Sequence, residues 1–165
     1  MKQYIAILMV LIGLNSCVSS SLETDPSWFA NDKDFSVSLW VKTATASNDT
    51  TILLSNADFK KVDMGIYGHR RTNAGITLYS FNGGWGWNIA NDRLHYLYEP
   101  LPEDQPLADN KWHQLAFTYN ATLKEIRLYY DGTNKAVISI GDLEDKDFKS
   151  ANQMIIGGNE SGYPF

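Results

Sequence analysis

The chain has 165 residues, of which 44% are hydrophobic, 13% aromatic and 20% charged, and a formal net charge of −5. That length suits one domain with a sizeable core, and an acidic balance without a basic run argues against nucleic acid and against electrostatic docking on anionic lipid. A single cysteine, Cys17, excludes an intramolecular disulfide.

Lys2 precedes an apolar stretch over residues 4–14. A bilayer span takes about 20 apolar residues, so this shorter stretch reads as a targeting segment. Leu14-Asn15-Ser16-Cys17 follows, with an aliphatic residue, a small residue and then cysteine. It resembles the lipobox of bacterial lipoproteins, whose mature N-terminal cysteine carries lipid. On this reading residues 1–16 are a signal peptide, Cys17 is the lipidation site and residues 17–33 are a Ser-rich polar tether. The expected location is the cell envelope, at the outer membrane or surface of a Gram-negative bacterium. The alternative is an ordinary secretory signal with a chance cysteine.

From residue 35 onward the pattern has period two. Phe35, Val37, Leu39 and Val41 alternate with Ser36, Ser38, Trp40 and Lys42, giving one apolar face and one polar face apart from Trp40. Residues 51–54 read as a second strand, and 64–69 as a third that Gly65 and Gly68 weaken. Strands over 75–81 and 85–90 are split by Asn82-Gly83-Gly84, a hairpin signal because Asn and Gly take positive φ with little strain. Asn91-Asp92 turns the chain into a strand over 93–99, and Pro100, Pro102 and Pro106 make residues 100–110 a loop. Residues 111–119 and 126–132 form an antiparallel pair joined by Asn120-Ala121-Thr122. Asp131-Gly132 leads into a strand over 136–140, and 153–156 is the last strand. Between them, Asp142, Glu144, Asp145 and Asp147 are mixed with lysines and read as a solvated face. No stretch shows sustained helical periodicity with caps. Many short strands imply an all-β fold, an antiparallel jelly-roll sandwich over residues 34–165.

The words of the chain also resemble a family. Trp112-His113-x-Leu115-Ala116-x-Thr118-Tyr119-Asn120, then Leu128-Tyr129-Tyr130-Asp131-Gly132, resembles the signature of laminin-G-like, concanavalin A-like lectin/glucanase domains of bacterial surface proteins. Phe35-x-Val37-x-x-Trp40-Val41-Lys42, Leu54-Ser55-Asn56-x-Asp58-Phe59, Gly84-Trp85-x-x-Asn88-Ile89 and Ile155-Ile156-Gly157-Gly158 are similar to family blocks, in the expected order. The resemblance implies a binding module, often appended to a sulfatase, sialidase, phosphoesterase or other hydrolase. It also implies a closing strand after the Ile-Gly-Gly block, paired with an N-terminal strand. Neither is evident, so the expectation is a sandwich incomplete at its C-terminal edge, marginally stable or self-associating.

Trp85, Trp87 and Ile89 share one strand face, and Leu94, Tyr96 and Tyr98 share one face of the next. Paired across the turn they make one aromatic surface on which sugar C–H faces would stack, with Asn88 and His95 nearby to read hydroxyls. Core packing is the alternative, since inward aromatics bury large areas. Trp40 is the better candidate for an exposed ring, because its strand's other face is already apolar. Asn56, Asp58 and Asp63 follow a strand, and such hard oxygen ligands suit Ca²⁺; the resemblance also points to a metal there, against the alternative of a solvated acidic loop. His113 has no evident nucleophile or metal partner and reads as structural. No paired carboxylates lie on one strand, and Glu125 stands alone beside Lys124, so catalysis is not expected. Asn48, Asn120 and Asn159 open Asn-x-Ser/Thr triplets, incidental in a bacterium.

The expected function is a non-catalytic, surface-anchored module binding glycan, accessory to a hydrolase. The alternatives are a glycoside hydrolase or lyase on the same sandwich, and a structural or protein-interaction domain of the envelope. The expected partners are a glycan or surface protein, the membrane through the N-terminal lipid, and a downstream catalytic domain.

Overall fold

The computed structural model describes residues 20–21, 33–48, 50–57, 75–90, 95–142 and 154–157. Its strands are β1 (Ser20–Ser21), β2 (Phe35–Val41), β3 (Thr51–Ser55), β4 (Gly75–Phe81), β5 (Gly84–Ala90), β6 (His95–Tyr98), β7 (His113–Asn120), β8 (Glu125–Tyr130), β9 (Thr133–Ser139) and β10 (Ile155–Ile156). They form two antiparallel sheets, one in the order β1-β10-β3-β4-β5-β6 and one in the order β2-β7-β8-β9. Among the described residues no helix is long and apolar enough to cross a membrane.

The alternation read in the sequence decides which side of each strand meets the other sheet. In the four-stranded sheet Val37 pairs with Phe117 and Phe117 with Leu128, so the inward rows line up from strand to strand. The six-stranded sheet answers with Leu54, Ile76, Leu78, Trp85, Trp87 and Ile89, all within one buried cluster. Trp87 and Phe117, their ring centroids 6.1 Å apart, make contact between the two sheets. Burying two inner faces against each other is how a sandwich builds its core.

Two hairpins use the same tight turn. Asn82 and Gly83 have φ of 51° and 81°, and Asp131 and Gly132 have 49° and 73°. Positive φ at both central residues matches the twist of the flanking strands, so Asn-Gly and Asp-Gly appear where expected.

The strands expected over 35–41, 51–54, 75–81 and 85–90 and in the signature pair are present, with shifts of a residue or two at their ends. The strand expected over 93–99 is described as His95–Tyr98, and the one expected over 136–140 begins at Thr133, because a two-residue turn returns the chain to the ladder at once. Within residues 17–33, read as a tether, the structure describes a short strand. Ser20 pairs with Ile156 and Ser21 with Ile155, so an N-terminal strand does lie against β10. A two-serine strand carries no hydrophobic alternation; only its ladder partner reveals it. The strand expected over 64–69, the Asn91-Asp92 turn, Cys17, Glu144, Asp145, Asp147 and Asn159 lie outside the described residues.

Candidate functional site

The aromatic surface expected around Trp85 and Trp87 exists, and it faces inward. Trp87 pairs with Tyr98 and Ile89 with Tyr96, so these side chains do share one face of β5 and β6. That face is the floor of the core: Trp87 is 0% exposed and Trp85 2%. Tyr96 and Tyr98 pack partly buried against the same cluster. The Trp85 ring lies 5.4 Å from that of Tyr98, whose hydroxyl accepts a hydrogen bond from Gln105 Nε2 at 2.8 Å. The Tyr96 hydroxyl lies 3.5 Å from Asp142 Oδ2, and burial, then the Asp142 carboxylate, pushes its pKa up. The two indoles therefore take the packing alternative, because a ring buried on both sides offers no face to a sugar.

Asn88 is separated from the tryptophans by the pleat. It belongs to the row Ser55–Thr77–Asn88–Leu97, on the opposite side of the six-stranded sheet. Ser55 Oγ and Thr77 Oγ1 share a hydrogen bond of 3.0 Å in that row, and Ser55, Thr77 and Asn88 are all buried. In the next row the Tyr79 ring lies across Gly86 and its hydroxyl donates to Glu99. A Cβ on residue 86 would sit 2.3 Å from Tyr79 Cζ, so glycine is what allows the ring to reach β6. His95 opens β6, its backbone paired with Ala90. The residues expected to act together are thus divided between two faces.

Asn56 does not fit a calcium site. Its side chain is buried, and its Oδ1 already accepts from the Ile76 backbone N–H at 2.7 Å. Asp58 and Asp63 lie outside the described residues. Among the described residues no three His, Cys, Asp or Glu side chains gather as metal ligands.

His113 is more deeply engaged than its sequence context suggested. Its Nε2 lies 2.9 Å from Asp109 Oδ1 and its Nδ1 2.9 Å from Asp131 Oδ2. A carboxylate at each nitrogen favours the protonated ring, which can donate from both. Burial opposes that charge, but the hydrogen bonds and charges of Asp131 and Asp109 outweigh burial and raise the pKa. The His113 hydrogen bond, assisted by Lys111, holds Asp109 down to about 2. Tyr130 stacks on the imidazole at 5.0 Å and donates its hydroxyl proton to Pro106 O at 2.7 Å. Burial, then Asp131 and Asp109, push that phenol up to about 12. The cluster pins the proline-rich loop to the Asp131-Gly132 turn, and each atom in it has a structural partner.

Aromatic rings do face solvent elsewhere. Trp40 is 42% exposed and Trp112 38%. Trp40 pairs with Gln114, two residues beyond Trp112, which makes the two indoles diagonal neighbours on the outer face of the four-stranded sheet. Gln114 Nε2 donates to Ser38 Oγ at 2.9 Å on the side away from Trp112. The sequence pattern singles out Trp40. Trp112 was missed, although its signal was available: His113 points inward, so its neighbour must point out.

Comparison with known proteins gives the chain a family. A laminin-G family model, described as the concanavalin A-like lectin/glucanases superfamily, matches residues 18–165. No curated protein matches the chain. Among solved structures, the chain resembles the Ruminococcus gnavus IT-sialidase CBM40 bound to alpha2,3 sialyllactose, at TM-score 0.61 and 19% identity, over 93% of this chain and 83% of that one. It resembles domains LG4-5 of the mouse laminin alpha1 chain at TM-score 0.57 and 16% identity, over 90% of this chain and 33% of that one. The binding domain of botulinum neurotoxin DC in complex with SialylT matches at TM-score 0.53 and 14% identity, over 84% of this chain and 31% of that one. This chain thus spans about a third of the laminin structure. At these identities the likeness is one of fold.

Proposed function

The chain belongs to the concanavalin A-like lectin/glucanases superfamily, and from that premise we propose that it is a non-catalytic carbohydrate-binding module held at the cell envelope by a lipid on Cys17. The observation that carries the reading is the fold shared with the CBM40 bound to sialyllactose, along most of the length of both chains. Fold alone does not make a function, and the side chains add a second support. Several described carboxylates are committed to partners: Asp109 and Asp131 to His113, Glu99 to Tyr79 and Glu125 to Arg127. Cleaving a glycoside by the usual route needs two carboxyl groups set across the bond, and these groups are tied to structural work instead. A hydrolase domain elsewhere in the gene product is the natural partner for such a module.

A glycan array probed with the full-length chain tests the binding reading. The expected result is retention on one or more oligosaccharides without turnover of them. Uniformly blank arrays from a folded sample would favour the protein-interaction alternative, and turnover lost on replacing one Asp or Glu would restore the hydrolase. The anchor has its own test. Cys17→Ala should abolish lipid labelling and release the protein from membranes; a variant processed and retained like wild type would leave an ordinary signal peptide.

A further inference from the structure

The strongest surface feature outside the core is the exposed end of the four-stranded sheet. Trp40 and Trp112 are each about two-fifths exposed there. Cβ atoms of diagonal neighbours on antiparallel strands are somewhat less than about 7–8 Å apart, within reach of large aromatic side chains. Two indoles at that spacing present C–H-binding faces to one or two adjoining rings of a sugar chain. Beside Trp40 the surface is small and polar: Gln114, half-buried opposite it, is hydrogen-bonded to half-buried Ser38 on the side away from Trp112. With one N–H of the Gln114 amide held by Ser38, its carbonyl oxygen and second N–H stay available to a hydroxyl.

The charges around this surface select among sugars. The register continued one residue past Val41–His113 sets Lys42 opposite Trp112, beside both indoles. The other charges near this end are compensated: Lys111 lies 3.2 Å from Asp109, and His113 is held by Asp109 and Asp131. Among the described residues Lys42 has no carboxylate partner. Among the described residues that leaves Lys42 a cation without a carboxylate beside the two exposed indoles, on a chain of net charge −5.

We infer that Trp40, Trp112, Gln114 and Lys42 form the glycan contact surface, and that it takes a pyranose bearing a carboxylate, with the sugar ring on the indoles and the carboxylate on Lys42. The inference rests on the carbohydrate-binding reading and locates it on the outer face of the four-stranded sheet, away from Trp85 and Trp87.

Equilibrium binding by the full-length chain tests it with two pairs of probes: 3′-sialyllactose against lactose, and oligogalacturonate against its methyl ester. Wild type should prefer the charged member of at least one pair. Trp40→Ala and Trp112→Ala should each weaken that binding about tenfold or more, the range seen when a central aromatic contact is truncated, and melting temperature should hold in both. Lys42→Gln should erase the preference for the charged probe and flatten the salt dependence, while any binding to the neutral partner persists. Binding by wild type that survives in the Trp40→Ala/Trp112→Ala double variant would overturn the location and leave the carbohydrate reading standing. Equal binding of charged and neutral probes, unchanged in Lys42→Gln, would overturn the ligand class. A wild-type chain blank on these probes and on the wider array would overturn the carbohydrate reading, and this surface with it.

Discussion

Two pairs of tryptophans divide this molecule. Trp85 and Trp87 lie on β5 with inward faces covered by Leu78, Tyr98 and Phe117; Trp40 and Trp112 lie across β2 and the start of β7 with open faces. Three of them lie in strands with the same two-residue alternation, and Trp112 immediately precedes one. The difference is which side of the strand the opposing sheet occupies. In β2 the aliphatic residues claim the inner side and leave the indole outside, whereas in β5 the indoles themselves are the inward set. Tryptophan content therefore says nothing about a site until the inner face is known.

The most drastic way to break the contrast is Trp87→Ala. Removing a wholly buried indole should cost about 3–5 kcal/mol, and Trp85→Ala somewhat less, since that ring sits closer to the end of the strand pair. Chemical denaturation should report both, with the slope against denaturant unchanged. A melt within a degree or two of wild type would place these rings outside the core.

Gly86→Ala comes next. The new methyl would fall inside the Tyr79 ring, forcing Tyr79 off Gly86 and breaking its bond to Glu99. Overpacking of this kind typically costs about 1–3 kcal/mol. The double variant Gly86→Ala/Tyr79→Leu should recover part of that loss, which a backbone effect of the alanine alone would not allow.

The His113 clamp should set a pH dependence of similar or smaller size. The raised His113 pKa means its contribution is complete below the unfolded value of about 6.5 and is lost as pH rises through the folded value. Asp109, held down to about 2, contributes fully above its ordinary value and fades as pH falls toward 2. The clamp is therefore strongest between about pH 4 and 6.5. His113→Gln should lower stability at pH 5.5 and flatten the loss that wild type shows from pH 6 to 9. Parallel curves for the two proteins across that range would mean the imidazole stays neutral in its clamp.

The smallest expected effect sharpens the comparison most. Trp40→Ala should change stability by no more than about 0.5 kcal/mol, as for surface substitutions in general. The same residue type then ranks at both ends of one series, distinguished only by the face it occupies.

Several features were legible because they are local. Alternation in residues 35–41 needs only the pleat to imply one buried face, and Asn82-Gly83 and Asp131-Gly132 need only the steric freedom of αL residues to imply tight turns. The signature around Trp112-His113 was enough to indicate the family that the chain matches over residues 18–165. The candidate site was less legible, because it depends on pairing. Asn88 looked like a neighbour of Trp87 in sequence and turned out to face away from it, since successive residues of a strand point to opposite sides. His113 looked partnerless because Asp109 and Asp131 reach it only once the proline-rich loop and the Asp-Gly turn fold over β7. Asn56 looked like a metal ligand until the ladder brought the Ile76 N–H to its oxygen. By itself, then, the sequence determined most of the described strands, the two tight turns and the family, all of which follow from residue types a few positions apart. Only the tertiary structure decided which tryptophans are core and which are surface, because that choice belongs to the opposing sheet, contributed by residues far away in the chain.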